Sequence, residues 1–475
     1  GEKAQFGLGT ESDTFFLTSD FLLEGEHASL RLLSGYVDTD QDSAIDFTDG
    51  RNPPPAPGIL PPIGTFEFGG AVRVAEERLQ EGSQDVRIDF DVDGIDFGIG
   101  GAIYGRDEEI DVANVVTTDD DGPGGADPVT VLLADRIIDS DLRGVSAYAD
   151  ITATLGIFEL SGGVRYTHEE AELAVRGVGL TGPLVLPETE VDDDIVTGFA
   201  TARAAVAPAV TLFASAKRGF ASGGFIEEGL TAAELVGFDS QENWTFEGGV
   251  EAGFFDGQVN TRLRGFYIDA DDQLITSSPA GVGLGIDPTS DFSNYGFEAE
   301  VNARLFRDLT LYGTFGFQDA EHDIGAGVAA QQAACLTELG IGGAAPSCGL
   351  GIVTATGGIA DPSFTPDITA SGGISYDFYI PYAESYVTPY VGFSYRDDMV
   401  VTSADTLLVD TGDGGDADAR FLVDAGLSLE TDDRFWLISL ECDNCFDVEF
   451  VDTGFAGFSY LGRPMTWTVR ARRRF

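Results

Sequence analysis

Strict alternation of apolar and polar residues over long stretches is the feature that most constrains how this chain can fold. In Asn243–Phe254 one set of alternate residues is apolar or glycine: Trp244, Phe246, Gly248, Val250, Ala252 and Phe254. Successive side chains of a β-strand point to opposite faces of the sheet, so the pattern predicts a strand with one apolar and one polar face. Ser293–Leu305 repeats the pattern, with Glu298, Glu300 and Arg304 on its polar face. Such long strands with so ionic a face are unusual in soluble β-sandwiches.

The chain contains no apolar run long enough for a helix to cross a bilayer, which excludes a helical membrane protein. A β-barrel needs no such run, because each spanning segment of about ten residues alternates lipid-facing and lumen-facing side chains. Composition agrees with a barrel: the 475 residues include 62 glycines, 34 phenylalanines and 14 tyrosines but 2 methionines. That is too rich in glycine and aromatic residues for a helical protein and too apolar for a disordered one.

The net charge of −55, from 81 acidic and 26 basic residues, excludes nucleic acid as a partner because phosphates would be repelled. The acidic residues crowd between the alternating runs, as in Asp119–Asp121 and Asp192–Asp194. These stretches are interpreted as solvated loops. Two explanations stay open for their charge: binding of divalent cations, or solubility and a saline habitat.

Short turns and long acidic segments follow one another along the chain. The predicted turns lie near Gly25, Asp93, Gly156, Pro208, Gly257, Asp308, Pro381 and Asp432. The predicted loops are 39–84, 108–143, 168–192, 221–241, 271–292, 322–366, 398–418 and 443–463. Outer-membrane barrels have short periplasmic turns and longer extracellular loops, which sets the orientation. Eight hairpins and a terminal strand predict an all-β, transmembrane, antiparallel up-and-down β-barrel of about 17 strands, or 18 if the first residues add one.

The last segment, Met465–Phe475, is an amphipathic strand that ends on an aromatic residue. Met465, Trp467 and Val469 share one face, and Thr466 and Arg470 share the other. A terminal Phe475 in this setting is similar to the signal by which outer-membrane barrels are recognised for assembly.

Leu212–Phe225 reads LFASAKRGFASGGF, which resembles the YASYSRGFKSGGF pattern of TonB-dependent receptors. The matching positions are Arg218, Gly219, Phe220, Gly223, Gly224 and Phe225. Other stretches resemble the same family in the same order: SQDVRID at 83–89, GGVRYTHEE at 162–170, ENWTFEGGVEAGFFDG at 242–257, SNYGFEAEVNARL at 293–305 and LGRPMTWTVRARRRF at 461–475. The likeness therefore covers nearly the whole chain.

This resemblance implies a 22-stranded barrel preceded by a plug domain and a TonB-contacting box. Neither segment is found in the chain, so one barrel domain is expected over 1–475. Its 17 strands correspond to the last 17 of the 22. Gly1 is not a start residue, so we expect the chain to be processed or incomplete at this end. CDNC at Cys442–Cys445 also departs from the family's usual NLTD-like stretch.

The family resemblance implies energy-coupled import of a scarce nutrient, of which iron-siderophore complexes are the commonest. The alternative is a plugless passive pore or a structural barrel of the cell surface. An enzyme is not expected, because the sequence has no nucleophile elbow, phosphate-binding glycine loop or metal-binding histidine spacing.

The implied location is the outer membrane of a Gram-negative bacterium, crossed many times. The implied partners are outer-membrane lipid and lipopolysaccharide, a metal chelate or other nutrient, and the TonB complex if a plug and TonB box lie upstream. Ligand contacts are expected in the extracellular segments 221–241, 271–292 and 323–366, without assignment to single residues.

Asp38–Asp49 reads DTDQDSAIDFTD, and its acidic residues follow calcium-loop spacing. The candidate Ca²⁺ ligands are Asp38, Asp40, Asp42, the Ala44 carbonyl, Asp46 and Asp49. Against a calcium loop, Ser43 replaces the glycine of the sharp turn and the twelfth residue is Asp rather than Glu. An ordinary acidic loop is the competing interpretation, and no other cofactor is predicted.

The four cysteines form two close pairs, Cys335 with Cys348 and Cys442 with Cys445, which suits an oxidising compartment. A disulfide in the first pair would restrain the longest predicted loop. A structural bridge is also preferred for the second pair over a redox-active CxxC site, because no βαβ pattern surrounds it.

Overall fold

The structure of the chain, a computed structural model, describes residues 9–46, 67–119, 129–179, 182–225, 237–238, 240–277, 285–342, 345, 347–349, 351–402, 415–455 and 458–474. Most of these residues lie in β-strands. The first twelve strands are β1 (Gly9–Glu24), β2 (Ala28–Asp46), β3 (Glu67–Val92), β4 (Ile95–Asp119), β5 (Val129–Leu155), β6 (Phe158–Gly179), β7 (Gly182–Ala207), β8 (Val210–Ala221), β9 (Gly224–Phe225), β10 (Gly237–Phe238), β11 (Gln241–Phe254) and β12 (Val259–Ser277). The next twelve are β13 (Gly285–Leu305), β14 (Leu309–Ile324), β15 (Ile368–Tyr376), β16 (Phe378–Ile380), β17 (Ser385–Arg396), β18 (Met399–Val400), β19 (Asp416–Ala417), β20 (Arg420–Thr431), β21 (Trp436–Asp443), β22 (Val451–Phe455), β23 (Phe458–Leu461) and β24 (Thr466–Arg473).

Eighteen of these strands form one antiparallel sheet. The other six form three separate two-stranded ribbons: β9 with β10, β18 with β19, and β22 with β23. Strands β15 and β16 are separated by Asp377 alone, and both pair with β17. Counting them as one interrupted strand leaves 17 strands in the large sheet. The predicted all-β antiparallel barrel of about 17 to 18 strands is confirmed.

All eight predicted turns are confirmed, since the chain reverses at 25–27, 93–94, 156–157, 208–209, 255–258, 306–308, 381–384 and 432–435. The turn between β3 and β4 needs positive φ at both central residues, Asp93 at 49° and Gly94 at 83°. An Asp-Gly pair tolerates this geometry, which matches the twist of the flanking strands. The sequence therefore encodes these turns locally.

The predicted loops 39–84, 108–143 and 168–192 are wrong in extent, because every described residue in them belongs to a strand. Strand β3 has 26 residues and β5 has 27. A tilted strand needs about 9 to 11 residues to cross the apolar layer of a bilayer. The far halves of β2 to β7 therefore extend beyond the membrane as paired strands.

Along β6 the apolar and polar faces exchange sides. Nearer the short turn, Val164 and Tyr166 point outward, toward lipid, and Arg165 points inward. Farther along, Glu170 and Glu172 occupy the outward face, while Leu173 and Val175 are buried on the inward face. The exchange follows the surroundings: lipid requires apolar side chains outside, whereas water beyond the membrane requires polar ones.

The projecting strands share an apolar core on their inward faces: Ala75, Ile110, Val112, Ile138, Leu173, Val175 and Leu184. Leu186 and Phe225 pack against this core. Each fully buried aliphatic side chain contributes about 1.5 to 3 kcal/mol relative to exposure. Packing of this kind explains why these acidic segments form strands instead of loops.

The helix α1 (Ala326–Ile341) lies between β14 and β15. No helix among the described residues is long and apolar enough to cross a membrane.

Candidate functional site

Ion pairs line the inward face of the membrane-spanning strands. The Glu247 carboxylate lies 2.8 Å from Lys217 Nζ and 2.6 Å from Arg264 Nη1. Arg264 also binds Glu298. Four residues farther along β11, on the same face, Glu251 contacts Arg203 and Arg262. The acidic and basic side chains on this part of the inner wall therefore largely neutralise one another.

The residues of the predicted family motif lie at the extracellular end of β8 and just beyond it. Arg218 pairs with Glu242 on β11, and the Gly219 N–H donates to Asn243 Oδ1 at 3.1 Å. A Cβ at position 219 would lie 2.8 Å from that oxygen, so a side chain would disturb the contact. The motif therefore fixes the join between β8 and β11.

The end of the motif turns the chain inward over the projecting core. Gly224 and Phe225 form β9, which pairs with β10 at Gly237 and Phe238. The Phe225 ring packs against the inward-facing core of the projecting strands. The base of the predicted ligand segment 221–241 is therefore anchored on the inner side of the extracellular wall, while 226–236 lie outside the described residues.

The predicted ligand segment 323–366 contains α1 and a disulfide. Cys335 on α1 is joined to Cys348, with their Cα atoms 4.8 Å apart, so this predicted bridge is confirmed. Val328, Cys335, Ile352 and Val353 are buried together around it. Apolar packing and a covalent bond thus give this segment a small core of its own.

The second predicted disulfide, Cys442–Cys445, is also present at the extracellular end of β21. It closes a short turn in which the Asn444 N–H donates to Asp424 Oδ1 on β20 at 2.8 Å. The Asn444 side chain donates to the Val448 and Arg463 carbonyls. The Cys442–Cys445 segment, which departs from the usual family sequence, therefore forms a rigid turn beside the last two strands.

Every described residue of the predicted ligand segment 271–292 belongs to a strand, because β12 continues to Ser277 and β13 begins at Gly285. Residues 278–284 lie outside the described residues. The assembly residue Phe475 also lies outside them, directly after Arg474, the last described residue.

The candidate calcium segment does not adopt a loop conformation over 38–46, because these residues are the end of β2. Alternate strand residues lie about 7 Å apart and point in parallel, so Asp38, Asp40 and Asp42 do not converge on one ion. Asp40 is paired with Arg78 at 3.0 Å. Asp46 ends β2, Ala44 lies within it, and Asp49 falls outside the described residues. Ca²⁺ binding by this segment stays a prediction.

Outward-facing carboxylates form a belt just beyond the lipid-facing surface of β4 to β7. Oxygen atoms of Glu170, Glu172 and Glu190 lie within 4.8 Å of one another. The hydrogen bond to Glu170 and its negative charge raise the pKa of Glu190. Hydrogen bonding to Asp107, followed by burial, raises the pKa of Asp141 to about 6. Crowded like charges make part of this belt responsive to pH.

Sequence reasoning missed two arginines at the mouth, Arg396 at the end of β17 and Arg420 at the start of β20. They lie directly opposite each other in the antiparallel register. Both flank the predicted loop 398–418. Because the two strands that such a loop connects pair with each other, the sequence could have indicated that these arginines lie close together. No ligand contact had been assigned to that loop.

A sequence profile for the β-barrel of TonB-dependent receptor-like proteins matches residues 3–445. The chain belongs to the TonB-dependent receptor β-barrel family. Members of this family are transport receptors of the Gram-negative outer membrane, which they cross many times as a β-barrel. No curated protein matches the chain.

Solved structures of TonB-dependent receptors share the fold of this barrel. The ferric yersiniabactin uptake receptor FyuA from Yersinia pestis is 15% identical with a TM-score of 0.72, over 98% of this chain and 61% of that chain. The siderophore receptor PiuA from Acinetobacter baumannii is 14% identical with a TM-score of 0.67, over 97% and 64%. The copper transporter OprC is 10% identical with a TM-score of 0.67, over 98% and 66%. The TonB-dependent receptor barrel described here thus spans a little under two thirds of these proteins.

Proposed function

We propose that this barrel belongs to an outer-membrane receptor that imports a ferric chelate, with energy delivered through TonB. Membership of the TonB-dependent receptor family is the observation that carries the proposal. The names of the structural neighbours favour a ferric chelate over copper, since FyuA is named a ferric yersiniabactin uptake receptor and PiuA a siderophore receptor, whereas OprC is named a copper transporter.

The proposed partners follow from the two surfaces of the barrel. The outward apolar side chains contact outer-membrane lipid, and the acidic belt beyond them lies at the level of lipopolysaccharide headgroups. Chelate binding is assigned to the extracellular mouth, where the segments 221–241 and 323–366 are held by Phe225 and by the Cys335–Cys348 bridge.

Uptake of radioactive iron by cells with and without the gene tests this function. We expect iron-limited cells that lack the gene to lose uptake of one ferric chelate, and the loss to be reproduced by a protonophore or by removal of TonB. Uptake that persists without TonB, together with steady ion conductance of the protein in planar bilayers, would instead establish a passive pore.

A further inference from the structure

Arg396 and Arg420 share the inward face at the extracellular end of β17 and β20. The neighbouring aromatic residues Phe393 and Phe421 are stacked at 5.8 Å on the outward face. Alternation along each strand then places Arg396 and Arg420 on the opposite side, toward the lumen. Lipid headgroups outside the barrel cannot reach this pair, whereas a solute entering the mouth can.

The two guanidinium groups have unequal partners. Arg420 Nη1 lies 2.7 Å from Asp452 Oδ1, and the Arg420 guanidinium carbon is 4.3 Å from the centre of the Phe450 ring. Arg396 Nη2 donates to the Asp418 carbonyl at 3.4 Å, which is a weak contact. Among the described residues no carboxylate lies within ion-pairing distance of Arg396, and its buried Nε has no hydrogen-bond partner.

This arrangement concentrates positive charge in a strongly acidic protein. Like charges directly opposite each other on antiparallel strands repel, and a buried donor without an acceptor is costly. Among the described residues, Asp452 is the one carboxylate that forms an ion pair with either guanidinium group, and it contacts Arg420. An anion that accepts hydrogen bonds from the terminal N–H groups of both guanidinium groups would relieve the repulsion, and guanidinium geometry suits carboxylate oxygens in particular.

The surrounding packing holds the pair in place. Val401, Ala417 and Val451 are buried together, with Met399 packed against them. This cluster joins the ribbon of β18 and β19, which lies between the two arginines in sequence, to β22, which carries Asp452. A small apolar core therefore holds together the backbone segments that flank Arg396, Arg420 and Asp452, as a preorganised binding site requires.

We propose that Arg396 and Arg420 form an anion-binding subsite that accepts the free carboxylates of a negatively charged chelate. The inference rests on the proposed function, because it names the class of chelate that the mouth receives. Phe450 forms an apolar side of the subsite, and Asp452 orients Arg420. A cationic chelate gains nothing from this subsite.

Calorimetry of the purified protein in detergent tests the subsite with three probes: iron-free citrate, anionic ferric citrate and a cationic ferric trihydroxamate. The variants are Arg396→Gln, Arg420→Gln and the double variant. Arg307→Gln serves as the control, because it removes the same charge from a periplasmic turn. Heat-modifiable migration on gels verifies that each variant is folded.

We expect wild-type protein and the Arg307→Gln control to bind both citrate probes more tightly than the cationic probe. Each single substitution should weaken citrate binding roughly tenfold, as expected for loss of one charged hydrogen bond, and the double variant should abolish it. Citrate binding that is absent from the wild type, or unchanged in the folded double variant, overturns the subsite.

The outcomes separate this inference from the proposed function. If citrate binding by the purified protein depends on the two arginines but cells show no TonB-linked iron uptake, the subsite is supported and the ferric function is refuted. Uptake of the cationic ferric trihydroxamate, at a rate that the double substitution leaves unchanged, refutes the subsite and supports the ferric function.

Discussion

Asp107 and Asp141 lie directly opposite each other on the outward faces of β4 and β5, and their side chains share a hydrogen bond. Such a bond between two carboxyl groups requires a proton, so the pair is stable when one group is protonated. This relationship in the acidic belt beyond the membrane gives the barrel a pH-dependent contribution to stability.

We expect Asp141→Asn to raise the stability of the barrel at pH above about 6, where the pair is otherwise doubly charged. The pKa of Asp141 is about 6 in the folded protein against an ordinary value of 3.8. Between these values the folded protein holds more protons than the unfolded chain, so the free energy of unfolding falls as pH rises. The loss is complete above about pH 6 and should not exceed about 1 kcal/mol, because solvent screens this partly exposed pair.

Thermal unfolding in detergent at acidic and neutral pH measures this effect. The difference between Asp141→Asn and wild type should disappear at acidic pH, below the ordinary aspartate pKa of 3.8. Asp93→Asn, in an exposed periplasmic turn, makes the same chemical change away from the belt. A neutral-pH gain that is equal in both variants would contradict the role of the Asp107 contact.

The Cys335–Cys348 bridge should protect the segment around α1 from proteolysis. The bridge joins residues 13 positions apart, for which loop closure predicts about 3 kcal/mol of stabilisation. We expect a Cys335→Ser, Cys348→Ser variant to be cleaved within the extracellular segment after α1 while the barrel itself stays intact.

Limited proteolysis followed by mass spectrometry detects such cleavage. A Cys442→Ser, Cys445→Ser variant is the matched control, because it loses a bridge outside this segment. Equal resistance of wild type and the Cys335→Ser, Cys348→Ser variant near α1 would show that apolar packing around Val328 and Val353 suffices.

The assignment of outward and inward faces can be tested at one depth in the membrane. Leu263 points outward between Val250 and Ala299, whereas Thr314 points inward opposite Glu300. Leu263→Arg places a charge in lipid and should cost about 2 to 4 kcal/mol near the midplane. Thr314→Arg places the same charge in the lumen, next to a carboxylate, and should be tolerated.

Urea titration of the barrel in lipid vesicles, followed by heat-modifiable gel migration, measures both variants. The reverse ranking of these two substitutions would mean that the faces have been exchanged, and with them the inward location of the ion pairs.

Phe225 should act as the anchor of the motif segment on the projecting core. We expect Phe225→Ala to increase hydrogen exchange of the backbone at Gly237 and Phe238, because β10 pairs with β9. Loss of a partly buried aromatic ring should cost the segment roughly 1 to 3 kcal/mol, below the range for fully buried phenylalanine.

Hydrogen exchange with mass spectrometry reads this effect locally. Phe255→Ala removes an identical ring from an exposed periplasmic turn and should leave exchange at β9 and β10 unchanged. Exchange at Gly237 that is the same in Phe225→Ala and wild type would exclude the anchoring contact.

The sequence by itself determined the barrel, its strand number and its eight short turns. These features depend on local patterns: alternation along Asn243–Phe254 predicts a strand, and Asp93–Gly94 accepts the backbone angles of a tight turn. The cysteine pairs were also evident, because short separations limit the choice of partners.

Only the tertiary structure decided what happens beyond the membrane. Glu170 and Glu172 suggested a solvated loop, yet they occupy the outer face of a strand whose inner residues, Leu173 and Val175, pack on neighbouring hairpins. Such burial depends on contacts between distant segments, and local alternation cannot reveal which face will be covered. The opposition of Arg396 and Arg420 likewise arises from strand pairing, which brings separate parts of the chain together.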